Sequence, residues 1–193
     1  MTRWISVTDL GDAALMLPLA FVCAVWIYAS DRSASVRWLL SLTLGALLVG
    51  ATKFLHAGCG IEIPAVHFRV ISGHAMLSSA VWTVVIALLV GSANSRWHRA
   101  GAMLGLLLAA AIGVGRVVEH AHTTIEIVLG WTLGSAIALT FLRRFFNEPR
   151  SMPRPLAAGA VLLAISSIAY GHHAPFQRII VQYSPSLCRW LES

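Results

Sequence analysis

Charge is what this chain has least of. Of its 193 residues, 11% are Asp, Glu, Lys or Arg, while 58% are hydrophobic. Soluble domains carry about a quarter charged residues. So few charges exclude an ordinary soluble globule and place the chain among integral membrane proteins. No segment outside the apolar runs is long enough to fold alone, so the net charge of +6 has no soluble basic module to sit on. That removes nucleic-acid binding. Low-complexity tracts and convincing internal repeats are also missing. Cysteine is scarce, with three in the chain. Cys23 lies in an apolar run. Cys59 and Cys188 fall on one predicted side, where a disulfide forms only in an oxidising compartment. Two free thiols is the simpler expectation.

What is abundant is apolar sequence in runs close to the roughly 20 residues that span a bilayer. Six such runs occupy residues 10–29, 38–55, 73–91, 100–118, 125–142 and 156–171. They predict an all-α integral membrane fold, a bundle of about six transmembrane helices, with residues 1–193 as a single membrane-embedded domain. Asp9 and Asp12 precede the first run against the lone cation Arg3. A signal peptide wants a positive start, so an uncleaved first span is expected. With the N-terminus outside, the inner loops carry eight arginines: Arg32, Arg37, Arg96, Arg99, Arg143, Arg144, Arg150 and Arg154. The outer side carries six cations: Arg3, Lys53, Arg69, Arg116, Arg178 and Arg189. Eight against six is a small bias in the direction of the positive-inside rule.

The polar residues gather in two stretches, "KFLHAGCGIEIPAVHFRVISGH" (Lys53–His74) and "GRVVEHAHTTIEIVLG" (Gly115–Gly130). One links spans two and three, the other spans four and five, so both emerge on the same side. Ionisable groups near membrane depth are costly and tend to mark function. The site is therefore expected on these two loops. His122 and Glu126 are four apart and share a helical face. A carboxylate beside a histidine fixes its tautomer and raises its basicity. Arg116 offers a guanidinium fork for phosphate. Ser72 and Gly73 open the third span, where free amides and the helix dipole favour an anion. Lys53 adds a point charge. Two histidines among such cations suit phosphoryl transfer, one attacking phosphorus and the other protonating the leaving oxygen.

Plainer roles exist for each residue. "TTIE" at Thr123–Glu126 is a capping-box pattern. Ser72 is a plausible N-cap, and Arg116 a snorkelling helix end. Glu119 and His120 read as solvated loop residues, His56 and His67 as structural or exposed, and His172 and His173 as exposed tail residues. The seven tryptophans read as packing or interfacial residues. It is the convergence of the polar set on one side that favours a site.

"SGHA" at Ser72–Ala75, followed by Arg116-x5-His122-x3-Glu126 and Gly130, resembles the type-2 phosphatidic acid phosphatase family, which shares its site with vanadium haloperoxidases. The likeness covers the core from Lys53 to Gly134. It implies a phosphohistidine on His122, orientation by Glu126 and general-acid catalysis by His74. Arg116, Ser72, the Gly73 amide and Lys53 would hold phosphate oxygens. It also implies a metal-free mechanism with no cofactor and a site at the outer membrane surface. With Lys53, Arg69 and Arg116 set aside as site cations, the arginine bias becomes eight against three, in agreement. The pattern departs from the family's in places. Gly60-Ile61 stands where the first motif has Arg-Pro, and Arg69 is the nearest substitute guanidinium. Ile71, Gly115 and Glu126 replace Pro, Ser and Asp.

The resulting expectation is a lipid phosphatase of a bacterial inner membrane, facing the periplasm. It would act on a phosphomonoester or diphosphate of a lipid such as phosphatidate, phosphatidylglycerophosphate, a polyprenyl diphosphate or lipid A. A lipid phosphotransferase and a non-catalytic lipid-phosphate-binding protein are the alternatives from the same residues. A metal or haem protein ligated by His120, His122, His56, His67 and His74 is disfavoured by the repulsion of Arg116 and Lys53.

Overall fold

The computed structural model describes residues 7–147 and 152–171, with positions 180, 182 and 184. Arg3, Trp4, Arg150, His172, His173, Arg178, Cys188, Arg189 and Trp190 lie outside the described residues. Among the described residues six α-helices follow one another: α1 (Ala13–Tyr28), α2 (Arg32–Cys59), α3 (Gly73–Ala93), α4 (His98–Val118), α5 (Thr124–Phe145) and α6 (Pro155–Ala169). Among the described residues the sole β pairing is an isolated antiparallel bridge between Ile63 and Phe68. Helices α2 to α5 are long and apolar enough to cross a membrane, whereas α1 and α6 are shorter. The fold is the all-α membrane bundle that the apolar runs predict.

Helix boundaries follow caps rather than hydropathy. Asp31 caps α2 by accepting from the Ala34 amide at 3.0 Å, so the helix starts well before its apolar run. It ends at Gly60, whose φ of 64° only glycine adopts without strain. Lys53 therefore stands on α2, inside the 38–55 apolar run, and not in the loop that the polar stretch Lys53–His74 suggests. Asp12 caps α1 and Ser72 caps α3.

α3 is the central helix. It packs most extensively on α4 and α5, and more than half of its residues are buried. Without a hydrophobic force between helices in lipid, close approach through small residues holds such bundles together. A Cβ on Gly101 would stand 2.9 Å from the Ala87 Cα, and one on Gly105 would run into the Thr83 backbone. On α5, a Cβ on Gly130 would collide with the Ser72 carbonyl, and one on Gly134 with the Met76 carbonyl. These paired glycines, each pair four residues apart, bring α4 and α5 into backbone contact with α3. Because Gly130 lies one turn beyond Glu126, the same seam presses the start of α5 against the start of α3. The C-terminal ends of α2 and α4 meet there too, while Arg32, Arg96, Arg99, Arg143, Arg144 and Arg154 mark the other end of the bundle.

Candidate active site

Glu126 is the hub of the polar end. It sits in the first turn of α5 with 0% exposure, and a buried carboxylate persists only when its lone pairs are met. All the contacts are donors. Oε2 accepts from His122 Nδ1 at 2.8 Å and from the Thr123 amide at 3.2 Å. Oε1 accepts from the Arg69 and Val70 amides at 3.0 and 3.3 Å, with Arg69 Nε 3.5 Å away. The Thr123 hydroxyl accepts from the Glu126 amide in return, completing a capping box. The capping and orienting roles thus coexist in one side chain. The Ser72 amide donates to the Glu126 carbonyl at 3.2 Å, joining the starts of α3 and α5.

His122 is held by this hub in the short loop between α4 and α5. Its side chain is 12% exposed. Burial pushes its pKa below the ordinary histidine value, helped by the charges of Lys53 and Arg116 and opposed by the bond to Glu126. With Nδ1–H given to the carboxylate, Nε2 carries the free lone pair of the neutral ring.

The cations surround it. Lys53 on α2 reaches the start of α3: a Cβ on Gly73 would stand 3.8 Å from the Lys53 ammonium. Arg116 in the last turn of α4 donates to Glu119 at 3.0 Å. Its Nε is buried without a hydrogen-bond partner among the described residues, a donor that a ligand oxygen would satisfy. Ser72 is fully buried, its Oγ accepting from the Ala75 amide at 3.4 Å. Beside His122 opens a cleft of about 560 Å³ lined by Arg69, His67, His120 and Thr123, among others. Arg69 is half-exposed on its wall and turned toward Glu126. His56 is partly buried, its Nδ1 3.2 Å from the Ile61 carbonyl oxygen.

His74, in the first turn of α3, does not face Glu126. Its Nε2 lies 3.6 Å from Asp12 Oδ2. Sequence reasoning used Asp12 only as a charge at the amino terminus. It also read Glu119 as solvated, yet Glu119 binds Arg116 and accepts from the Thr8 hydroxyl at 2.9 Å. The Asp12–His74 and Thr8–Glu119 links join segments far apart in the chain, for which spacing gives no signal. Cys59 is disulfide-bonded and Cys23 is free, so the expectation of a free thiol at Cys59 is corrected. Among the described residues, no three His, Cys, Asp or Glu side chains are placed to hold a metal ion.

The chain is 28% identical over 191 residues to an uncharacterized 22.5 kDa protein in the cps region of Klebsiella pneumoniae, covering 96% of this chain and 91% of that one. No solved structure matches it significantly. A model of the PAP2 superfamily matches residues 53–150, which hold Lys53, Ser72, His74, Arg116, His122 and Glu126. This chain therefore belongs to the PAP2 superfamily, whose members are in general phosphatases and haloperoxidases.

Proposed function

We propose that the protein is an integral membrane phosphatase that hydrolyses the phosphate ester or diphosphate of a lipid through a phosphohistidine on His122. The observation that carries this reading is the 2.8 Å bond from His122 Nδ1 to a fully buried, fully satisfied Glu126. It fixes the tautomer whose Nε2 is the nucleophile, and burial keeps the ring neutral. Nε2 attacks phosphorus as the bond to the leaving oxygen breaks, and His74 gives that oxygen its proton. Water then attacks the phosphohistidine, returning the proton to His74 and releasing phosphate. Lys53, Arg116, the Ser72 hydroxyl and the Gly73 amide hold the phosphate oxygens, with Arg69 on the cleft wall as a further cation. The unpartnered Arg116 Nε supports that role.

A lipid substrate is supported by the long apolar helices, which set the cleft at a membrane boundary. The disulfide at Cys59, at the site's end of α2, supports an oxidising outer compartment such as the periplasm. The arginines at the opposite end support the same orientation. Phosphate release by the protein in detergent, in excess EDTA, against a panel of lipid phosphates tests the reading. The wild type should release phosphate, His122→Ala should not, and vanadate should inhibit. Release that survives His122→Ala would overturn it.

A further inference from the structure

The segment before α1 lies over the catalytic end of the bundle and touches it at several places. Thr8 donates to Glu119, the carboxylate that holds Arg116. Trp82 on α3 donates its indole N–H to the Leu10 carbonyl at 2.9 Å. Gly11 is packed so closely that a Cβ there would stand 2.8 Å from Ile112 and 3.6 Å from the His74 Cβ. Asp12 follows, 8% exposed, with Oδ1 on the Ala14 amide at 2.8 Å and Oδ2 3.6 Å from His74 Nε2. An N-cap needs only one side-chain oxygen. Asp12 brings a second one, charged and nearly buried, to the ring.

From this geometry we infer that Asp12 is a positioning residue for His74. Its carboxylate holds the proton on Nε2, so that Nδ1 is the nitrogen that gives a proton to the leaving oxygen and takes one back from the attacking water. The inference rests on the phosphatase reading and adds to it a residue from the amino-terminal segment. The balance of the step is simple. The Nδ1–H bond breaks as the P–O bond to the leaving group breaks, and a new O–H bond forms on the leaving group. The ring is left neutral with its remaining proton on Nε2, facing Asp12. While both ring nitrogens carry protons, the carboxylate stays beside Nε2 and fixes the ring's orientation. The two histidines then use opposite nitrogens: Glu126 takes Nδ1 of His122, and Asp12 takes Nε2 of His74.

The test is Asp12→Asn, because asparagine caps a helix as well as aspartate does and removes only the charge. Two substrates separate positioning from structure. The diacylglycerol expelled from a short-chain phosphatidate would be a poor alkoxide and needs the acid; the p-nitrophenolate expelled from p-nitrophenyl phosphate is stable and does not. Asp12→Asn should lower kcat on phosphatidate by about ten- to a hundredfold. KM should stay within about threefold, and the aryl ester should be affected little. In a His74→Ala background the same change should cost nothing more. Equal losses on both esters, or additive losses in that background, would overturn the inference. A second readout needs no turnover: spectra of the full chain in detergent with ¹⁵N-labelled histidine. In the wild type His74 should carry its proton on Nε2, and Asp12→Asn should abolish that preference. Identical His74 spectra would overturn the pairing. A wild type silent on both esters and on the whole panel of lipid phosphates and diphosphates would refute the phosphatase reading instead, and the spectra would still decide the pair.

Discussion

The two histidines at the polar end are each set beside a carboxylate, yet they reach it by different routes. His122 and Glu126 are four residues apart on one chain segment, and the capping box that starts α5 holds the carboxylate in place. His74 meets Asp12 only because the segment before α1 lies against the first turn of α3. The first pair is bonded at 2.8 Å around a carboxylate with no exposure; the second stands at 3.6 Å with His74 25% exposed. The proposed nucleophile's partner is thus part of helix construction, and losing it would undo the helix start as well as the proposed chemistry. The proposed acid's partner belongs to a separate layer that can change with less damage to the bundle.

The comparison can be broken most severely at His122. Replacing it with alanine should lower kcat by about 10³-fold or more, since it removes the nucleophile itself. Glu126→Gln is the next largest. Every neighbour of that carboxylate is a donor. The amide NH₂ of glutamine would face a donor on one side, and the negative charge beside His122 would be lost. Activity should fall by about 10²- to 10³-fold, with a lower melting temperature. If only activity fell, the structural half of Glu126's role would be wrong. At Gly130, alanine should separate α5 from α3 and loosen the hub, lowering activity by about tenfold. Gly50→Ala, on a face of α2 with open space around it, should change activity less than about twofold.

The smallest effect is in pH dependence. Burial lowers the pKa of His122 in the folded protein. The ring therefore stays neutral, and able to attack, below the ordinary histidine value of about 6.5. The acid limb of kcat/KM should fall below that pH. The unfolded chain binds the extra proton first, so His122's contribution to stability is present above about pH 6.5 and is lost as pH falls below it. An acid limb above 6.5 assigned to His122 through labelled-histidine titration would contradict this.

How much of this was legible depended on sequence distance. The six helices, the caps at Ser72 and Thr123, and the His122–Glu126 pair all follow from local spacing, which the chain carries in a single stretch. Lys53 lies inside the 38–55 apolar run yet opens the polar stretch that reads as a loop; the helix carries it and runs on to the Gly60 cap. Asp12, Thr8 and Glu119 were invisible as partners because packing of remote segments, not spacing, brings them together. The glycines that press α4 and α5 onto α3 are readable in retrospect as pairs four residues apart, but which helix they face is decided only by the assembled bundle.

The central claim is a covalent bond between His122 and phosphorus, and it can be tested directly. The protein in detergent and EDTA would be mixed with a ³²P-labelled short-chain phosphatidate, quenched in alkali during the first turnover, and the labelled peptide identified by mass spectrometry. The account expects acid-labile, base-stable label on His122, absent in His122→Ala. Phosphate release by the wild type, with no label on His122 at any time through the first turnover, would contradict it.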